Sequence, residues 1–401
     1  MVRMITRRSP RSSLHSAMFN NMKRIEVFDH TPVRRGLSSL VYIALFIFLM
    51  LIPTGFERTI YYNAEGAVAR VISVDDSTVF NTGLFKQGEE RLVVEILSGT
   101  HKGIEIEAVN MLNGSLESDK IFSPGDKSWV LIERNGDNDP ISVIAVDKWR
   151  GTREIILVIA FAFALFIFAG RGGINILFSF ALAFLISWKV LVPLSLKGFP
   201  PMVMCVTTLS FLTLLTIPLI SGFNIRTLGA ISGALSADIL VAFLSVFTSW
   251  FLILDGYTLS GSESLMYSGF AGINMSSLFS GVILLSSGGA VMDLAVDVSA
   301  SMSEVFCHSR EISKKELFMS GVRVGRAGLG TQITTLLLAY MSSYLTVFMV
   351  YMAQGTPVIN ILTSKTIASE IAQTLVGCMG LVCVVPLTAL FSCHLLKNND
   401  A

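Results

Sequence analysis

The sequence predicts a mainly α fold, a polytopic transmembrane helical bundle of about eight spans, with a small extracytoplasmic β-rich barrel or sandwich between the first and second spans. Three observations carry this. First, 52% of the 401 residues are hydrophobic and only 15% are charged, with a mean hydropathy of +0.65, which is too apolar for a soluble globular chain of this length. Second, a spanning helix needs about 20 mainly apolar residues, and eight runs approach that length: 37–53, 154–170, 173–193, 200–220, 227–250, 278–300, 328–352 and 370–393. Third, residues 54–153 have a different texture, with short Val- and Ile-rich runs separated by Gly, Asn and Asp.

The first run, "GLSSLVYIALFIFLML", follows 36 residues that include Arg3, Arg7, Arg8, Arg11, Lys23, Arg24, Arg34 and Arg35. No small-x-small cleavage site follows it, so it reads as an uncleaved anchor (37–53) rather than a removable signal. Cytoplasmic loops are enriched in Lys and Arg. That rule places the basic segment 1–36 in the cytoplasm and 54–150 outside. It also makes the 301–327 loop cytoplasmic, with Arg310, Lys314, Lys315, Arg323 and Arg326, whereas 227–277 contains no Lys or Arg. The resulting expectation is a protein of the cytoplasmic membrane with both termini inside, the tail being 394–401. In this topology Trp149, Trp188 and Trp250 fall at outer helix ends, as an interfacial belt would.

Within 54–153, "TIYYNAEGAVARVISV", "RLVVEILSG", "GIEIEAVNML" and "WVLIERNG" read as strands joined by hairpin turns. Their module is either a spacer or a docking domain. The five cysteines all lie outside this segment, so no disulfide framework is expected. The histidines are scattered and no CxxC or HExxH pattern occurs, so neither a metal site nor a cofactor is expected. The glycines of "GRAGLG" follow GxxGxG spacing with no preceding strand. No phosphate loop or nucleophile elbow is present, so neither an ATP-driven mechanism nor an enzyme is expected. No nucleic-acid partner is expected; the bilayer is the predicted surrounding.

The chemistry sits in "SSGGAVMDLAVDVSASMSEV", residues 286–305. Helical residues turn by about 100° each, so Ser286, Gly289, Asp293, Asp297, Ala300 and Glu304 share one face, while Val291, Leu294 and Val298 point elsewhere. An ionised Asp near the bilayer centre costs about 2.5–3.5 kcal/mol on insertion scales. The stripe is therefore expected to face other helices or a wet cavity, either fixing packing or lining a cation or proton path. Asp238 is a second intramembrane carboxyl. On the same helix Gly229 and Gly233 make a small-residue packing face, with Asp238 rotated to the opposite side. Thr331, Gln332, Thr334 and Thr335 are expected at the depth of Asp293 as its hydrogen-bond partners. Arg323 and Arg326 are placed with Glu304 at a cytoplasmic mouth, where they neutralise Asp297 or Glu304 or else anchor headgroups. Glu370 and Gln373 share one face of the last span, with Gly377 and Gly380 as packing positions below them. Lys189 is expected to snorkel outward.

In order, "KWRGTREIIL", "GGAVMDLAVDVSASMSEV", "VGRAGLGTQITTLLLAY" and "SEIAQTLVGCMGLVCVVPLTALF" resemble the YibE/YibF-like family of bacterial membrane proteins over about residues 148–393. Met292, Asp293 and Glu304 match its sixth-helix pattern. Glu370, Ile371, Leu375, Val376, Gly377, Gly380, Leu381, Pro386, Leu387 and Thr388 match its final motif. Ala327 stands where the family usually has Asp, Thr334 where it has Asn, and Asp297 where a small polar residue is usual. The resemblance is to the longer family form. It implies a companion, either a shorter homologue lacking the β domain or a second copy of the chain. The expected activity is that of a permease or transporter component with an acidic polar path through the bundle. The alternative is a non-transporting scaffold whose β domain binds an envelope protein or peptide.

Overall fold

The computed structural model describes residues 32–56, 64–134 and 140–398, so most of the expected basic segment 1–36 lies outside the described residues. The chain divides into two compact units. One is Gly55–Gly170; the other joins the segment ending at Thr54 to Arg171–Ala401.

The first unit is a closed five-stranded barrel. Its strands are β1 (Ala64–Asn81), β2 (Lys86–Ile96), β3 (Glu105–Asn113), β4 (Lys127–Arg134) and β5 (Pro140–Lys148), ordered β1-β2-β3-β5-β4. All neighbours are antiparallel except β3 with β5, which meet in parallel at Val109 and Ile144. This is a Greek-key barrel of the OB type. The fifth strand was not among the four runs singled out from sequence. Its alternation, with Val143 and Ala145 inward, is masked by the turn-rich "NGDNDP" before it. The antiparallel hairpins expected throughout give way to a parallel pair at β3–β5, because an odd number of strands cannot close with every neighbour antiparallel.

Inward positions carry Ala67, Ala69 and Val71 on β1 and Leu92, Val94 and Ile96 on β2. Ala108, Val130, Ile132, Val143 and Ala145 complete the core, with Phe122 packed among them. The alanines keep the barrel narrow. β1 is long enough to pair with both β4 and β2 and bends at irregularities between Val71 and Ser73 and between Asp75 and Thr78. Glu90 is buried in this apolar setting. Its carboxylate accepts from Asn110 Nδ2 at 2.7 Å and from the Phe122 amide at 3.4 Å, tying the 114–126 loop to β2 and β3. Burial holds its pKa above the usual Glu value, outweighing the Asn110 and Phe122 hydrogen bonds.

Helix α1 (Pro32–Leu51) precedes the barrel and α2 (Gly151–Ala169) follows it. Chain continuity carries β5 into α2, and Trp149 stacks on Trp129 of β4 with ring centroids 5.5 Å apart. Of the three tryptophans expected in a belt, Trp188 and Trp250 are exposed beside Phe184 and Phe247, whereas Trp149 is half-buried against Trp129. The sequence partition put the second span with the bundle at 154–393; here α2 groups with the barrel and buries none of its side chains.

The second unit holds α3 (Arg171–Ile186), which continues through a π turn at Ser187–Leu191 into α4 (Val192–Leu196), then α5 (Pro201–Ser221) and α6 (Ile225–Phe251). After the short α7 (Ser262–Leu265) come α8 (Met275–His308), α9 (Lys314–Ser343), α10 (Leu345–Ala353), α11 (Val358–Thr363) and α12 (Lys365–Asn398). Among the described residues, six helices are long and apolar enough to cross a membrane. The pair α9 and α10, bent by 58°, makes a seventh if counted as one span, and the described part of α1, Tyr42–Leu51, is a shorter apolar helix. The chain is a multi-pass membrane protein.

Two expectations about these helices change. The loop expected over 301–327 shrinks to a turn between His308 and Lys314, because Ser313 and Glu316 form a capping box that starts α9 well before the apolar run. The single run 328–352 breaks at Tyr344, where α9 ends and α10 turns away.

The bundle is built by close approach of small residues around α8 and α12. A Cβ on Gly233 would run into the Thr388 side chain and backbone, and one on Gly229 would meet Ser392 and Ser299. Gly380 receives Val241 and Val291; Gly377 receives Leu336 and Ser287; Gly288 receives Leu209. These pairings set α5, α8 and α12 parallel to one another and antiparallel to α6 and α9. The end of the bundle with Arg226, Lys314 and Lys397 is the basic one. Ser299 Oγ donates to the Arg226 carbonyl at that end, and Ser249 and Ser280 share a hydrogen bond at 3.0 Å toward the other.

Gly233→Ala is expected to lower the stability of the purified protein by at least the ~1–3 kcal/mol typical of an overpacked core. Gly289→Ala, whose Cβ meets nothing within 4 Å, should leave it unchanged. Thermal unfolding in detergent followed by circular dichroism distinguishes the two. For Glu90 the sign follows from the raised pKa: the folded barrel holds its proton more tightly than the unfolded chain. The contribution to stability is therefore full below the ordinary Glu value of 4.5 and is lost as pH rises through the folded pKa. Glu90→Gln should flatten that decline above pH 4.5, read from the barrel's unfolding transition.

Candidate functional site

Helix α8 turns its small and apolar residues into the bundle. Val291, Leu294, Ala295, Val298 and Ser299 are buried, as are Ser287 and Gly288. Asp293 lies about 200° around the helix from both Val291 and Ala295, and it is exposed, together with Ser286, Gly289, Asp297 and Glu304; Ala300 is half-buried. The acidic face exists as a stripe, but it faces out of this single chain. The expectation that it looks into the bundle is corrected: α5, α6 and α12 already occupy the other faces of α8 through Gly288, Ser299 and Ser287, and a helix with three packed sides leaves the fourth outward.

The expected partners of Asp293 are committed elsewhere. Thr331 Oγ1 donates to the Gly328 carbonyl, Thr334 Oγ1 to Gly330 and Thr335 Oγ1 to Thr331, all at 2.8–2.9 Å within α9. Thr331, Thr334 and Thr335 are exposed and Gln332 is half-buried, so α9 presents polar side chains at this level without hydrogen bonding to the carboxylates. A helical Thr satisfies its hydroxyl on the preceding turn at no cost in reach, and that local bond wins over a distant acceptor. Arg323 and Arg326 are exposed on α9, and among the described residues no ion pair joins them to Asp297 or Glu304. Lys189 does not project freely: its Nζ donates to the Ile52 carbonyl at 3.1 Å.

Asp238 and Glu370 behave in the opposite way. Each is 4% exposed, and neither of their carboxyl oxygen pairs has a hydrogen-bond partner among the described residues; Thr388 Oγ1 is unpartnered as well. Asp238 was expected on a face opposite Gly229. It is so placed on α6, yet that face is buried too, alongside Ala234, Val241 and Ser245. Asp238 is level with Asp293 along the bundle, since Val241 meets Gly380, which also meets Val291. The two carboxyls are nonetheless on separate sides, one in the core and one at the surface, and do not line a common path through the bundle.

Glu370 sits on α12 one turn before Gln373. Gln373 Nε2 donates to Ser286 Oγ at 3.3 Å, and Tyr340 OH donates to the same oxygen at 2.9 Å. This node joins α8, α9 and α12 at the top of the acidic stripe. Sequence reasoning identified Ser286 and Gln373 but missed Tyr340, which reads as one more aromatic in the apolar "TLLLAYMSSY". Its position nine residues after Thr331, on the buried side with Leu336, was the available signal. Among the described residues no group of three or more His, Cys, Asp or Glu side chains is arranged to hold a metal ion.

A bundle of long apolar helices, in a chain that also carries a five-stranded barrel, defines a multi-pass membrane protein. The sequence pattern of the YibE/F-like protein family matches residues 157–398, more than half of the chain, and the protein belongs to that family. The match begins inside α2 and takes in α3 to α12, leaving α1 and the barrel outside it. No curated protein and no solved structure matches the chain.

Because Asp238 gives up no hydrogen bond, Asp238→Asn should change thermal stability by less than about 1 kcal/mol; a carboxylate with a hidden buried partner would instead lose about 3–5 kcal/mol. Unfolding in detergent at neutral pH provides the measurement.

Proposed function

We propose that this protein is a permease component of the cytoplasmic membrane, not an enzyme, with eight spans and both termini inside. Its cation or proton path runs along the acidic face of α8. One observation supports the reading: Asp293 and Asp297 stand on an exposed face of α8, a helix long and apolar enough to cross a membrane, with Ser286 and Gly289 on the same face. Two carboxylates left against acyl chains would each cost several kcal/mol, so such a face is closed by protein or water in the working assembly. The path thus forms between α8 and a companion, either the shorter family form or a second copy, and not through the middle of one bundle. The exposed Thr331, Thr335 and half-buried Gln332 of α9 extend the polar wall, and Arg323, Arg326 and Glu304 flank its basic end.

A second reading, in which the protein is a scaffold whose barrel binds an envelope protein or peptide, draws on the barrel tip. Phe80, Leu84 and Phe85 around the β1–β2 turn are exposed together with Met111 of β3 and Leu116. The β1–β2 loop and the β2–β3 face are where barrels of this topology take ligands.

Asp293→Asn is expected to abolish cation or proton flux in proteoliposomes while leaving expression and thermal unfolding nearly unchanged. Equal loss of fold and flux would instead make Asp293 a packing residue. Removing residues 56–147 should leave partial flux if the bundle is a permease and no activity at all if the barrel is the working part.

A further inference from the structure

We infer that Glu370 is the outer proton-binding group of the path proposed above, and that the Tyr340–Ser286–Gln373 node is the gate between it and Asp293. This rests on the permease reading and names the transported or coupling species as the proton.

Glu370 is buried near the end of the bundle opposite the basic one, with both oxygens unpartnered among the described residues. A carboxyl in that condition carries either a bound proton or a bound cation, because a bare charge without hydrogen bonds is too costly there. A cation would need several oxygen ligands, and among the described residues no group of three or more His, Cys, Asp or Glu side chains gathers at Glu370 to supply them. Ser369 Oγ donates to the Lys365 carbonyl and takes the Thr258 hydroxyl, while Lys365 is paired with Asp255. The proton is the species left. Tyr340 shares Ser286 Oγ with Gln373, which stands one turn along α12 from Glu370. Gln373, on the same face of α12, contributes an amide and no charge.

From there the route runs through hydroxyls. Tyr340 OH donates to Ser286 Oγ, and Ser286 Oγ donates to the Ile283 carbonyl of its own helix at 3.0 Å. In this state the wire is closed, since the serine proton is aimed backward. Rotation of that hydroxyl about its C–O bond aims it along the stripe, toward Gly289. A Cβ there would meet nothing within 4 Å, so the space beside Gly289 is open. Ser286 and Asp293 are two turns apart, about 10.5 Å at 1.5 Å per residue, a span that water in this space bridges. A proton leaving Glu370, whose oxygens touch no hydroxyl directly, crosses through water to the tyrosine oxygen as the tyrosine proton moves to Ser286 and the serine proton moves to water beyond it. The same number of protons reaches Asp293 as leaves Glu370, and each hydroxyl regains one.

The test uses the full chain in proteoliposomes containing a trapped pH dye, with the membrane potential clamped by potassium and valinomycin. Infrared difference spectra of the purified protein between acid and alkaline buffer are recorded in parallel. Glu370→Gln and Tyr340→Phe are each expected to slow proton entry at least tenfold, and Gly289→Leu, which fills the open space, to do the same. The infrared spectrum should lose a protonated-carboxyl band in Glu370→Gln and keep it in Tyr340→Phe. Unaltered proton entry in Glu370→Gln, where Asp293→Asn still abolishes it, overturns this inference and leaves the permease reading standing. A missing carboxyl band in the wild type overturns the assignment of the proton to Glu370 whatever the flux. No proton or cation entry in the wild type overturns both.

Discussion

Backbone-to-backbone packing of α6 on α12 is the contact on which the rest of the bundle depends. In a bilayer, helix association draws little from the hydrophobic effect and relies on close van der Waals fit and short polar contacts. Gly229 and Gly233 bring α6 close enough to α12 for Thr388 and Ser392 to fill the space a Cβ would take. Ser299 then ties α8 to both, through Ser392 and the Arg226 carbonyl. Once these three helices are fixed, α8 has no rotational freedom left. Its small residues face inward, and Asp293 and Asp297 follow on the outer side.

That rotation gives the carboxyls two different environments. Asp238 and Glu370 are enclosed by protein without hydrogen bonds, and Asp293 and Asp297 are uncovered. Both conditions are expensive in a membrane, and neither adds to the stability of the chain on its own. Retaining them makes sense where a proton or cation occupies the first pair and a further protein surface or water occupies the second. The serine and threonine hydroxyls nearby do not offset the cost, since those of α9 are bound to their own helix.

The barrel follows a separate logic. A narrow core of alanines and branched residues closes five short strands around one buried acid, Glu90, whose bonds to Asn110 and Phe122 hold the loop that covers the barrel. The uncovered apolar side chains collect at its β1–β2 tip, while the aromatic pair Trp129 and Trp149 marks where the strand passes into α2. The family match begins at residue 157, after the last strand of the barrel.

Apolar runs of sufficient length, a strand-rich insert and the glycines of α6 and α12 were legible in the sequence, because each depends on a residue's own chemistry and its neighbours a turn away. The stripe of Asp293, Asp297 and Glu304 was legible for the same reason: helical periodicity decides which residues share a face. Periodicity does not say what the face meets. Only the tertiary packing of α5, α6, α9 and α12 around α8 decided that the stripe points out, that Asp238 is enclosed on the far side, and that Tyr340 joins Ser286 and Gln373. Those outcomes depend on contacts between residues dozens to more than a hundred positions apart, whose register is set by steric fit at a few glycines.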